Sequence, residues 1–321
     1  MDNVCHTLVG AACARTGFTR PTRLSTATSM IAANLPDLDV LAFASELPAV
    51  AFRRGWTHGV LAQAILPALL AGLMLAVGRW MRRGSRADDG RPALGPLLAL
   101  SYVGVLVHVY LDYLNNYGVR LLMPFSGRWF YGDTLFIVDP WLWLAFGAAV
   151  IAGRGGRVRR TRRWLIVAAA YILCMTLSAR MARTIVQETW TREHGAPPQS
   201  LMVGPVPLNP FQKAVVVDAG REYRAGSFTW FSRRTTFSGG PTPKQDEHAA
   251  IVFARRDPRV GGILVWARFP FWTVEETPGG TRVTVRDMRF AAFESGPFSA
   301  TTIVGRRSAV VSPTATLPGR R

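Results

Sequence analysis

The chain has 321 residues, with 38 lysines and arginines against 20 aspartates and glutamates for a net charge of +18, and its mean hydropathy is +0.15. With 18% of its residues charged, that hydropathy excludes an evenly mixed soluble globule, so the apolar residues must be gathered into runs. The charge does not point to nucleic acid either, because much of it falls in short arginine clusters between apolar runs, as in membrane topology.

The first segments, Val4 to Ala14 and Thr26 to Ala33, are apolar and joined by a bend holding Arg15, Arg20 and Arg23. They are too short to span a bilayer alone and predict a re-entrant or partly buried helical pair, with an interfacial pair as the alternative. Asp2 stands where a cleavable signal peptide carries a basic head, so no such peptide is expected. Asn34-Leu-Pro-Asp37-Leu-Asp39 follows, and then Arg53-Arg-Gly-Trp-Thr-His58 opens the first spanning segment, Val60 to Gly78, nineteen residues without a charge. Residues 93 to 114, 135 to 152 and a shorter run from 164 to 179 predict three more. Arg79, Arg82, Arg83, Arg86 and Arg91, diluted by Asp88 and Asp89, separate the first two, while Arg154, Arg157, Arg159, Arg160, Arg162 and Arg163 separate the last two. The positive-inside rule assigns both loops to the cytoplasm. By parity His58, His108, Asp112, Asp133, Asp139 and everything after residue 182 face outward.

Beyond residue 182 the pattern becomes polar and punctuated by proline and glycine. Leu201 to Pro210 reads as extended chain, and Ala214 to Val217, Tyr223 to Phe231, Gly262 to Thr273 and Thr281 to Phe290 read as strands. In Thr281-Arg-Val-Thr-Val-Arg286 the arginines and valines alternate, as in a sheet with one wet face. The expected fold is a mainly α membrane protein, with about four transmembrane helices and a short N-terminal helical pair in residues 1–182. A β-rich outer domain follows in residues 183–321, with a flexible tail after residue 310.

The chemistry centres on His108-x-x-x-Asp112, where an imidazole and a carboxylate share one face at the end of an uncharged helix. Asp37 and Asp39 flank a proline turn, and two carboxylates so close favour a cation between them. His6 and His58 also stand at the ends of apolar segments, and all these groups are expected to converge. Asp139, inside an apolar segment, calls for a partner, and Arg128 is the nearest basic candidate in sequence. Asn115-Asn116-Tyr-Gly118 reads as a helix stop. His194 and His248 sit among charged residues and are left out of the site. Cys5, Cys13 and Cys174 form no CxxC pair, and no GxSxG, Walker or GxGxxG pattern suggests a serine hydrolase or nucleotide enzyme.

Taken in order, His6, Pro36-Asp37-Leu-Asp39, Arg54-Gly-x-Thr-His58, His108-x-x-x-Asp112-x-x-Asn-x-Tyr-Gly118 and Phe136-x-x-Asp139-Pro resemble the inner-membrane-associated metal-dependent hydrolases described as LexA-regulated. Trp266-x-Arg-Phe-Pro270 and Asp287-x-Arg-Phe290 resemble the outer domain of longer members. The ligand pattern is distantly similar to the zinc-dependent phospholipase C and P1 nuclease group, but three site histidines suit one or two metals better than three. Gly59 departs from the small hydroxyl residue expected there.

The resemblance implies a hydrolase of the bacterial inner membrane. His6, Asp37, Asp39, His58, His108 and Asp112 would bind a divalent metal, zinc with manganese or iron as alternatives. Asp37 and Asp139 would serve catalysis, and Arg54 or Arg128 would stabilise an anionic group. The expected partners are the lipid bilayer and a lipid or envelope phosphoester, with no nucleic acid. The main alternative is a structural metal site with a partner-binding β domain, and the next a transporter using His and Asp as an ion path.

Overall fold

A computed structural model describes residues 1–44, 51–81, 92–291 and 296–305. The arginines between 82 and 91 and the expected tail after residue 310 lie outside the described residues. Two compact units are present: Met1–Ala42, Phe52–Val215 and Gly226–Ser238 form the first, and the other described residues form the second.

The first unit begins with the expected short helical pair, α1 (Asn3–Ala14) and α2 (Ser25–Ala32). The Asp2 carboxylate caps α1 by accepting from the amides of Val4 and Cys5, which satisfies donors that a helix start leaves unpaired. A 3-10 stretch, Leu35–Ala44, follows α2, and a 3-10 turn, Trp56–His58, leads into α3 (Val60–Met81). Then come α4 (Leu94–Tyr113), α5 (Pro140–Ala152) and α6 (Val158–His194).

Three of these helices, α3, α4 and α6, are long and apolar enough to cross a membrane. The segment expected from 135 to 152 becomes helical only at Pro140, because Asp139 caps it and proline fits the first helical position, and α5 is therefore 13 residues long. Conversely, α6 is much longer than expected, at 37 residues and about 55 Å. Its polar second half is rich in good helix formers, and it ends only where Gly195 takes the left-handed conformation. One apolar cluster joins α1, α4, α5 and α6 through Cys5, Val9, Leu111, Leu142, Phe146 and Met175. Another joins α2, α3 and α4 through Ala32, Leu70, Met74, Leu97 and Val105. Gly104 permits the close approach of α4 to α2, since a Cβ there would lie 2.5 Å from the Ala32 methyl group.

The β region contains β1 (Ser200–Pro205), β2 (Gln212–Asp218), β3 (Glu222–Thr229), β4 (Arg234–Phe237) and β5 (Thr242–Pro243), ordered β1-β2-β3-β4 with β5 beside β3. In the second unit α7 (Ala249–Ala254) and α8 (Pro258–Trp266) precede an antiparallel sheet, β6 (Pro270–Thr277), β7 (Gly280–Asp287) and β8 (Ser299–Val304). The expected alternation holds in β7, where Val283 and Val285 are buried and Arg282 is exposed.

The strand expected over Gly262 to Thr273 is not formed as such, because Gly262 to Trp266 belongs to α8. Asp257 caps that helix, Pro258 starts it, and buried Val260, Ile263 and Trp266 recur at a spacing of three. Similarly, Met288–Phe290 is a 3-10 turn and not the end of a strand.

Candidate metal centre

His108 and Asp112 project from the same face of α4, with the His108 Nε2 atom 3.6 Å from Asp112 Oδ2. The His108 Nδ1–H donates to the Ala33 carbonyl at 2.7 Å, at the C-terminal end of α2 where helical carbonyls lack intrahelical partners. A carbonyl only accepts, so the neutral ring turns an Nε2 lone pair inwards. His58 is fixed in the same sense. Thr57 donates its hydroxyl to Asp39 Oδ2 at 3.2 Å and so accepts from His58 Nδ1–H at 3.0 Å. Burial, then the neighbouring His108 and Arg54, pull the His58 imidazole well below its ordinary value and keep it neutral.

The two inward Nε2 atoms are 3.1 Å apart, and His58 Nε2 is 3.3 Å from Asp112 Oδ2. Asp37 approaches from the 3-10 stretch, its Oδ1 3.9 Å from His108 Nε2. One ligand atom from each of Asp37, His58, His108 and Asp112 falls within 4.8 Å of all the others, and all four residues are buried. A tetrahedral zinc shell has ligand–ligand edges of about 3.3 Å. Facing lone pairs beside carboxylate oxygens repel one another without a cation between them, and the buried Asp37 Oδ2 has no hydrogen-bond partner. The donor set therefore fits a divalent metal.

His6 and Asp39, also expected as ligands, adjoin this group of four. The His6 ring stacks on His108 at 3.8 Å between centroids, and its Nε2 is 3.3 Å from Asp112 Oδ1, to which the Met1 amine also donates. His6 Nδ1 is buried without a hydrogen-bond partner. Asp39 Oδ2 instead accepts from the Arg54 amide at 2.6 Å and from Thr57. Burial raises the Asp39 carboxyl above its ordinary range despite the opposing Arg54 amide. These contacts tie down the loop that carries His58.

Arg54, expected to meet an anionic substrate group, is itself fully buried, and burial pulls its guanidinium down to about 10. Its Nε and Nη2 donate to Asp112 at 2.9 and 3.1 Å, and its Nη1 donates to Asn115 Oδ1 at 2.8 Å. The ring of Tyr117 covers the cation at 4.7 Å. Arg54 thus holds Asp112 in place.

The expected pairing of Asp139 with Arg128 is not formed. Asp139 accepts from the amides of Trp141 and Leu142 and from the Tyr171 hydroxyl, because it starts α5, whereas the exposed Arg128 lies over the Phe130 ring. None of the contacts of Asp139 is with a histidine of the group. His194 stacks on Trp190 and His248 caps α7, each outside the centre. Gly59 is required where it stands, since a Cβ would lie 2.3 Å from the Met123 carbonyl oxygen. The hydroxyl expected there is supplied to His58 by Thr57. Two supports carry no separate sequence signal, the Ala33 carbonyl and the Thr57 hydroxyl. Asn115 was legible only as part of a helix stop.

Helices long and apolar enough to cross a membrane, with a buried imidazole–carboxylate group beside them, define a membrane protein with a candidate metal centre. Residues 1–186 match the family described as YdjM inner membrane protein, and the chain belongs to that family. It is also similar to "Uncharacterized protein YfhP" of Bacillus subtilis (strain 168), at 23% identity over 275 residues, covering 84% of this chain and 78% of the relative. Neither description names an activity. No solved structure matches.

Proposed function

We propose that the protein is a metal-dependent hydrolase of the inner membrane acting on an ester or phosphoester, with a lipid or envelope compound as substrate. The observation that carries this reading is the pair of His58 and His108 Nε2 atoms at 3.1 Å, each with its Nδ1–H engaged elsewhere. Asp37, His58, His108 and Asp112 would hold the ion, and imidazole with carboxylate suits zinc, manganese or iron. When bound, the metal supplies a Lewis acid that activates water for attack on the ester. Arg54 and Asn115 orient Asp112, while Thr57 and the Ala33 carbonyl fix the histidine tautomers. His6, stacked on His108 with its Nε2 3.3 Å from Asp112 Oδ1, would join the ligand set or hold a second ion.

A crossing by α5 as well as α3, α4 and α6 puts the two basic segments on one side and the His58 end of α3, with the β-rich region, on the other. This arrangement follows the positive-inside rule.

Elemental analysis of detergent-purified protein beside a His58→Ala/His108→Ala double variant tests the centre, and hydrolysis of p-nitrophenyl esters and phosphoesters tests the activity. Near-stoichiometric metal that disappears in the double variant, together with hydrolysis that a chelator abolishes, is the expected result. Equal absence of metal in both proteins under metal-preserving conditions would sink the reading. Metal without hydrolysis would favour a structural metal site in a partner-binding membrane protein.

A further inference from the structure

The centre is unevenly sealed. His6, His58, His108 and Asp112 are 0% exposed, whereas Asp37, Asp39 and Arg53 have side-chain exposures of 5%, 7% and 22%. Arg53 reaches towards both acids, with Nη2 3.4 Å from Asp37 Oδ1 and Nε 3.6 Å from Asp39 Oδ1. Arg53 therefore marks the partly open side.

The residues interleaved with these charges would be polar if that side faced bulk water. Instead Leu38 and Val40 alternate with Asp37 and Asp39, and Phe52 and Trp56 bracket the Arg53–Arg54 pair; their exposures are 51, 46, 40 and 61%. Large apolar side chains left exposed next in sequence to these charges mark a contact surface. Next along the chain, Val60, Leu61, Ile65, Leu69 and Leu73 of α3 are also exposed, on a helix apolar enough to cross a bilayer. Trp56 stands just ahead of that helix, as tryptophan does at the membrane interface.

We propose that this opening admits an anionic-headgroup lipid sideways from the adjoining leaflet. Arg53 engages the headgroup, and Leu38, Val40, Phe52 and Trp56 receive the start of its acyl chains. A guanidinium offers a planar set of donors that matches phosphate oxygens, and the neighbouring acids orient it. The proposal rests on the hydrolase reading for what happens to the lipid, but lipid binding does not require turnover.

The test is native mass spectrometry of the metal-loaded full chain in detergent, with dioleoyl phosphatidic acid, dioleoyl phosphatidylcholine, glycerol 3-phosphate and inorganic phosphate as probes. One phosphatidic acid retained per chain, in preference to phosphatidylcholine and undisplaced by equal concentrations of glycerol 3-phosphate or phosphate, is the expected result. Arg53→Gln should weaken retention roughly tenfold or more, as loss of a charge-assisted hydrogen bond does. A paired Leu38→Ser/Phe52→Ser variant should weaken it comparably while keeping wild-type metal content, which separates a lost lipid contact from a misfolded centre. Equal binding of glycerol 3-phosphate, equal retention of phosphatidylcholine, or retention unchanged in both variants would overturn the proposal. Lipid binding without metal or hydrolysis would leave the portal standing and remove the hydrolase.

Discussion

Asp112 shows how much of the centre depends on groups that do not themselves face the ligand position. Its Oδ2 faces His58 and His108, while Arg54 reaches both of its oxygens and is in turn held by Asn115. The i,i+4 pair on α4 was legible in the sequence because helical periodicity alone brings His108 and Asp112 together. The role of Arg54 was not, because the direction of a guanidinium is set by what packs around it. Asn115 was hidden for a different reason: ending a helix already accounts for an asparagine there. Its Oδ1 accepts from the Tyr117 amide as well as from Arg54. Asn115→Ala would leave a buried charged donor short of a partner, at a cost of about 1–3 kcal/mol. Metal affinity should then fall roughly 10–100-fold, as for loss of other groups that orient ligands, with full occupancy regained at saturation. Asp112→Asn should instead abolish stoichiometric binding. Chelator-competition titrations of both variants distinguish the two behaviours, and equal affinity of Asn115→Ala and wild type would contradict the role assigned to Asn115.

At the scale of elements, the long apolar helices were visible from composition, and the β7 alternation followed from its period of two. Element ends were harder, because caps compete with apolar pattern: Asp139 shortens α5 and Asp257 with Pro258 turns an expected strand into α8. A third aspartate, Asp287 at the end of β7, accepts from the amides of Arg268, Phe269 and Arg289 and pairs with the buried Arg289 guanidinium at 2.9 Å. Burial pushes its carboxyl up, but Arg289 and these amides override that and hold it below the ordinary value of 3.8. A lowered folded-state value means the unfolded chain binds the proton more tightly. The stabilisation is therefore fully present above the ordinary carboxylate range and is lost as the pH falls through the lowered value. At neutral pH, Asp287→Asn would leave Arg289 buried without its counter-charge, costing about 3–5 kcal/mol. Hydrogen exchange of peptides covering β6 and β7 should then quicken by roughly 10²–10⁴-fold where exchange follows opening of this unit. Unchanged protection would show that the ion pair contributes little to the sheet.

For the whole molecule, the step from sequence to topology turns on α5. Composition marks 135–152 as a crossing, yet the helix itself has 13 residues, about 20 Å against a hydrocarbon core of about 30 Å. Its apolar side chains Trp141, Leu144 and Ile151 remain exposed, as a lipid-facing helix requires, while Leu142 and Phe146 pack against α1 and α6. Charge gives an independent argument. If α5 crosses, the arginines after α3 and those between α5 and α6 share one side; if it does not, the two clusters face opposite sides, against the positive-inside rule. Single cysteines at Ser85, Arg159 and Glu193, introduced after Cys174→Ser with Cys5 and Cys13 left buried, can be probed with a membrane-impermeant maleimide in intact spheroplasts. Glu193→Cys should label at once, and Ser85→Cys and Arg159→Cys only after permeabilisation. Opposite labelling of Ser85→Cys and Arg159→Cys would remove α5 from the crossings. Parity would then put the far end of α6 on the side opposite the His58 end of α3, and with the two arginine clusters divided between the sides the outer-face assignment of the centre would lose its basis.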